Sequence, residues 1–207
     1  YDHALSAALA RRGHTVRLLA SPFVHGPSPD PDGYVREDVY LTRSSRLLAG
    51  RRRTRAHSVL RGLEYPPSAL LATRRIAALD PDVVHVQWLG IPRFDRRWLR
   101  RVARVRATVM TAHEVLPPRT ADQVDVWREV FATVDRVVVH SASSGARLVE
   151  LGVDPGKIVE IPHPAFDGSN GAPVAAPMPT CCGCSRPARG LCSIGVAAAR
   201  ERPGHCR

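Results

Sequence analysis

The chain has 207 residues, room for one ordinary domain, with 44% hydrophobic residues and a net charge of +11 from thirty Lys and Arg against nineteen Asp and Glu. That apolar fraction excludes disorder along the whole length. No apolar run approaches the roughly 18–20 residues that cross a bilayer, which excludes an integral membrane protein spanned by helices.

The first residue is Tyr1 and no charged-then-apolar signal segment follows it, so a missing upstream segment is expected. Lys157 is the only lysine, and the positive charge is nearly all arginine. With the abundant alanine, this points to GC-rich coding DNA and weakens the step from high isoelectric point to a nucleic-acid partner. Cys181, Cys182, Cys184, Cys192 and Cys206 all fall in the last 27 residues. The cysteine-free body suits a cytosolic domain without disulfides.

In chain order, Ala4, Leu5, Ala8 and Leu9 have helical spacing, and Gly13 stands where a glycine ends a helix. Residues 14–20 read as a strand. An irregular Pro/Gly/Asp stretch follows over 21–33, then a weak strand over 39–42. Leu70, Leu71, Ile76 and Leu79 predict a helix entering through Pro66-Pro67 and ending before Asp80-Pro81. The pattern is then regular, with strands over 83–86, 108–111, 137–139 and 158–161. Between them, Trp98, Leu99, Val102 and Val105 mark one helix face, and Trp127, Val130, Phe131 and Val134 the next. A short helix over 146–151 is stopped by Gly152. Alternating short strands and helices give an α/β fold, a doubly wound parallel sheet. After residue 167 the character changes: residues 168–207 hold six Gly, five Pro and five Cys and show no strand.

Open parallel sheets carry their working residues just beyond the carboxyl ends of the strands. Gln87 and Trp88 stand there after the first regular strand, His113 and Glu114 after the second, His140 and Ser141 after the third, and His163 after the last. Imidazole donates or accepts near neutrality, so histidines at successive strand ends suit proton or hydrogen-bond chemistry. His113 is the first candidate, ending a buried strand and opening into a loop. His85, inside a strand, reads as a packed and hydrogen-bonded side chain. His140 has the alternative of bonding a neighbouring backbone group, and His163, between prolines, of shaping an exit turn.

The segments GHTVRLLASP, DPDVVHVQW, TVMTAHEVLP, VDRVVVHS and KIVEIPHPAF, in this order, resemble the N-terminal half of family 4 (group 1) glycosyltransferases of the GT-B fold. The resemblance covers about residues 1–166, and implies a Rossmann-like, acceptor-side domain facing a second, donor-binding domain across a cleft. It implies that His113 is the cleft histidine near the transferred sugar, with Gln87, Trp88, Glu114, His140 and His163 on the substrate side. Family members often have Asp where Glu114 stands, and His163 with its flanking prolines is similar to the crossing into the second domain. The implied reaction moves a sugar from a nucleoside-diphosphate donor to a sugar or lipid-linked acceptor, usually with retention. No metal or cofactor is implied. Against the family pattern, the first strand with its glycine-rich loop and the whole second domain are missing. A reading-frame disruption near Asp167 is therefore expected, with 167–207 a disordered or out-of-frame tail and the chain alone inactive. The alternatives are a Rossmann-like binding domain without chemistry and a basic nucleic-acid binder.

Arg43, Arg46, Arg51, Arg52, Arg53, Arg55 and Arg61 fall in a 19-residue stretch with no acid. Several basic residues suffice for attachment to an anionic leaflet, which makes Arg51, Arg52, Arg53 and Arg55 candidates for peripheral membrane contact at the cytoplasmic face. No aromatic platform accompanies them, so nucleic acid is not expected as a partner. A second arginine run, from Arg93 to Arg106, reads as a solvated helix face. Cys181-x-x-Cys184 with Cys192 and His205-Cys206 invites a zinc reading, but the second half lacks a matching knuckle, so no metal site is expected.

Overall fold

Turn and capping chemistry cut the chain into alternating elements. Helix α1 (Asp2–Arg11) stops just before Gly13, whose φ of +94° suits glycine, and the chain turns at once into strand β1 (Thr15–Ala20). The structure, a computed structural model, describes residues 1–23, 29–48, 54–162 and, by backbone, 196–200. There follow β2 (Val35–Asp38), α2 (Thr42–Leu48), α3 (Arg55–Leu79), β3 (Val83–Val86) and α4 (Pro92–Ala103). The chain continues through β4 (Ala107–Thr111), α5 (Val124–Thr133), β5 (Arg136–Val139), α6 (Ala142–Glu150), β6 (Ile158–Glu160) and β7 (Val196–Arg200).

The strands form a seven-stranded sheet in the order β2-β1-β7-β3-β4-β5-β6. The pairs β1–β2, β3–β4, β4–β5 and β5–β6 are parallel, as an α/β Rossmann-like fold requires. Alternate residues of β1 separate two cores. Leu19 joins a large cluster with residues of α3, α4, α5 and α6, whereas Val16, Leu18 and Ala20 pack with Ala7 of α1. Helices therefore cover both faces of the sheet.

Strand β7 departs from the reading of the sequence, which finds no strand after residue 167 and a sheet parallel throughout. Val196–Arg200 pairs antiparallel with β1 and with β3, Ala198 standing opposite Arg17 on one side and Val84 on the other. Three consecutive alanines carry neither a period-two pattern nor strand propensity, so local signals miss it. The ladder selects it instead, because two strands held one slot apart present facing rows of N–H and C=O groups that are costly to leave unpaired. The five cysteines with their zinc reading, and the expected frame disruption near Asp167, lie outside the described residues.

Other boundaries also move. The weak strand expected over 39–42 lies earlier, as β2. Val39 and Tyr40 instead donate their amides to the Ala20 carbonyl, and Leu41 turns with φ +52° into α2. The first amides of α2 are capped from a distance: the Glu64 carboxylate accepts from Arg43 and Ser44 N–H, both at 2.8 Å. Helix α3 does not begin at Pro66-Pro67 but runs through them from a Thr54 cap, whose hydroxyl accepts from His57 N–H. The carbonyls those prolines deprive belong to Gly62 and Leu63, both exposed, so solvent can serve them. Val105 and Val134 lie beyond the helices assigned to them, Val105 exposed and Val134 buried in extended backbone. Helix α6 starts four residues earlier than expected, because the Ser141 hydroxyl caps Ser144 N–H. Among the described residues no helix is long and apolar enough to cross a membrane.

Candidate active site

Strand alternation builds the site. His85 pairs in register with Val109, and Val84 and Val86 with Thr108 and Met110. His85, Gln87, Thr111 and His113 thus share one parity at the carboxyl ends of β3 and β4, opposite the face of Val84, Val86 and Met110. The buried Gln87 amide bridges the two histidines: its Oε1 lies 3.0 Å from His113 Nε2, and its Nε2 lies 3.1 Å from His85 Nε2. His85 Nε2 also lies 2.8 Å from the Thr111 hydroxyl.

Burial pushes His85 down to about 4, so its ring is neutral at ordinary pH, with Nε2 as acceptor and the proton on Nδ1. With the amide so oriented, Gln87 Nε2 and the Thr111 hydroxyl donate to His85, and His113 donates its Nε2–H to Gln87 Oε1. Thr111 is in turn hydrogen-bonded to the Tyr1 phenol, which burial raises above its ordinary value.

Rings close around His113. Trp88 stacks on it at 4.3 Å between centroids and 9° between planes. Tyr1 stands edge-on to both His113 and His140, at 4.7 and 5.2 Å, and the two imidazoles are 5.2 Å apart. His140 Nδ1 donates to the Ile161 carbonyl at 2.9 Å, the backbone bond its position suggests, and this fixes the ring over the end of β6. The Gln87 carbonyl oxygen at its edge and the Trp88 ring on its face hold the His113 imidazole in place.

A second buried cluster holds the loop that carries Trp88. Asp95 is fully buried, and its carboxylate accepts from Tyr65 Oη at 2.7 Å, Trp98 Nε1 at 3.0 Å and Ile91 N–H at 2.8 Å. Tyr65 Oη accepts from Gly90 N–H at 3.3 Å, which ties the 87–91 loop to α3. Burial, partly offset by these donors, raises Asp95 to about 6. At the start of α1, burial likewise raises Asp2 to about 6.

The structure thus brings Gln87, Trp88, His113 and His140 together. Glu114 does not join them: it is exposed and makes no hydrogen bond or ion pair among the described residues. His163, Arg51, Arg52 and Arg53 lie outside the described residues, and Arg55 is exposed on the first turn of α3. The reading of the sequence misses Tyr1, Thr111, Tyr65 and Asp95. Thr111 was within reach, since it shares the strand parity of His113, and Asp95 sits in the first turn of a helix opened by Pro92. Among the described residues no group of three or more His, Cys, Asp or Glu side chains is placed to hold a metal ion.

The family model described as Glycosyltransferase Family 4 matches residues 3–165, a span that contains Gln87, Trp88, His113 and His140 but not Tyr1. No curated protein and no solved structure matches the chain.

Proposed function

Because the chain belongs to glycosyltransferase family 4, we propose that it forms the acceptor side of an enzyme moving a sugar from a nucleoside-diphosphate donor to an acceptor hydroxyl, with retention. The observation that carries this reading is the His113 assembly. A titratable ring is held from behind by a buried amide and flanked by Trp88 and Tyr1, at the carboxyl edge of a parallel sheet where such sheets bind ligands.

Transfer breaks the bond between the anomeric carbon and the diphosphate oxygen while the acceptor oxygen bonds to that carbon. The acceptor proton leaves with the diphosphate, and the anomeric centre passes through an oxocarbenium-like state. Three tasks follow: neutralising the departing phosphates, orienting the sugar and keeping water out. His113 serves the second by hydrogen-bonding a hydroxyl of the transferred sugar, and the rings of Trp88 and Tyr1 serve the second and third through the apolar C–H face of a pyranose. Charge neutralisation falls to cationic groups of a second, donor-binding domain, as the family resemblance implies.

The test is glycosyl transfer by the product of the encoding locus, read through the adjoining DNA, with a panel of nucleotide-sugar donors. His113→Ala is expected to lower kcat by about 10²-fold or more while leaving donor KM nearly unchanged. Full activity in the variant removes His113 from the chemistry. No transfer with any donor, beside acceptor-sugar binding that survives His113→Ala, supports a binding domain without chemistry instead.

A further inference from the structure

Helix α3 is apolar on two opposite sides. One side buries Tyr65, Ala69, Ala72 and Ile76 against the sheet. The other leaves Val59, Leu60, Leu63, Leu70 and Leu71 in solvent, Leu63 being 71% exposed. At about 100° per residue, Val59, Leu63 and Leu70 fall within about 40° of one another, along roughly 18 Å of helix. No Asp, Glu, Lys or Arg other than Arg61 and Glu64 interrupts residues 59–71, and both turn toward α2. Arg61 donates to Ser45 Oγ, and Glu64 caps Arg43 and Ser44. These contacts run α2 antiparallel to α3, which sets Leu47, 63% exposed, beside the first turns of α3.

Soluble proteins seldom leave so long an apolar stripe uncovered without a partner for it. The charge around the stripe selects that partner. Arg43 and Arg46 lie on α2 and Arg55 on the first turn of α3, and the sequence from Arg43 to Arg61 contains no acid. Among the described residues, Arg43, Arg46 and Arg55 form no ion pair with a carboxylate. A second copy of so basic a face would be repelled by the first. Nucleic acid would engage the arginines through its phosphates and leave the leucines in water.

We propose that the α2–α3 face seats on an anionic bilayer, with the Val59–Leu63–Leu70 stripe at the acyl boundary and Arg43, Arg46 and Arg55 among the headgroup phosphates. The geometry is that of a helix lying in the interface plane, where buried apolar area and attraction to acidic lipid act together. The surface is independent of His113 and of the transfer chemistry.

The test uses the full chain and sedimentation with vesicles of phosphatidylcholine containing about one-third phosphatidylglycerol. Binding is expected to the mixed vesicles and not to pure phosphatidylcholine, and to weaken as salt rises from about 0.05 M to about 0.5 M. Leu63→Asp with Leu70→Asp is expected to reduce it at least about tenfold. Both positions are exposed, and unchanged circular dichroism and thermal midpoint show that the fold is kept. Arg46→Glu with Arg55→Glu, which leaves the stripe intact, is expected to weaken binding and flatten its salt dependence. Absence of vesicle binding, equal binding to neutral vesicles or binding indifferent to the aspartates overturns the proposal. So does a stable dimer that Leu63→Asp dissociates.

Discussion

Replacing Asp95 by asparagine removes a fully buried carboxylate that ties α3, α4 and the 87–91 loop together. Burial raises this group from 3.8 to about 6, so ionising it in the folded protein costs about 3 kcal/mol more than in the unfolded chain. The stabilising effect of the folded, protonated form is complete below about pH 4, declines as pH rises and is gone above about pH 6. Asparagine is neutral throughout and does not carry that cost at pH 8. Against this gain, an amide has one acceptor oxygen where the carboxylate has two. Its NH2 must face Ile91 N–H or Trp98 Nε1, and an unmet buried donor costs about 1–3 kcal/mol. Near pH 8 the gain of about 3 kcal/mol matches or exceeds the loss of about 1–3 kcal/mol. Near pH 4.5 the wild type has recovered about 2 kcal/mol and the variant nothing, so between the two pH values the stability difference shifts by about 2 kcal/mol against the variant. The assay is urea unfolding followed by tryptophan fluorescence for both proteins at both pH values. Groups that titrate identically in the two proteins, His85 and Asp2 included, cancel in the difference. Wild-type and variant profiles that stay parallel across this range would refute the reasoning.

The other expectations concern groups that titrate or tether. His85, pushed down to about 4 from 6.5, stays neutral in the fold while the unfolded chain takes a proton. It therefore withdraws up to about 3 kcal/mol of stability as pH falls from about 6.5 to about 4. His85→Gln should remove that slope in acid-unfolding curves, and an unchanged slope would show that the ring protonates in place. Gln87→Met should lower kcat of the transfer reaction by about 10²-fold by releasing His113, with a circular dichroism spectrum like the wild type's. Unaltered kcat would show that the bridge positions nothing. Lys157 Nζ donates to the carbonyls of Ala132 and Val134 at the end of α5, at 2.8 and 3.0 Å. Lys157→Met should cost about 1–2 kcal/mol in urea unfolding, and a loss near zero would show that solvent serves those carbonyls equally well.

The parallel half of the sheet was legible because its elements announce themselves locally. Val83, Val84 and Val86, or Val137 to Val139, can hardly be anything but buried strand, and the helices between them repeat at helical spacing. Where the reading errs, distant partners decide. Tyr40 and Leu41 look like strand, yet Glu64 reaches 20 residues back to start a helix there. Pro66 and Pro67 look like a helix start, yet a Thr54 cap and exposed carbonyls let the helix pass through them. Strand β7 is the extreme case, since alanines that favour a helix in isolation pair as a strand between β1 and β3.

The candidate site shows the same division between what a strand end reveals and what tertiary folding adds. Gln87, Trp88, His113 and His140 could be picked out because polar groups just beyond buried strands have few other reasons to be there. Their hydrogen-bond partners could not, because neither parity nor spacing says which ring nitrogen an amide will meet. The Gln87 bridge has a consequence for how the site works. An amide between a neutral His85 and His113 cannot reverse its polarity without reversing both neighbours. If Gln87 turned over, its oxygen would face His85 Nε2, and His85 would have to carry its proton there, giving up its acceptor role toward Thr111. Thr111 is committed in turn to Tyr1. The amide therefore couples the two imidazoles: whichever way the chain from Tyr1 through Thr111, His85 and Gln87 is polarised, the tautomer of His113 follows it. That coupling runs through side chains at the ends of β3 and β4 and through Tyr1, the residue before α1, so a change at Thr111 or Tyr1 is felt at His113.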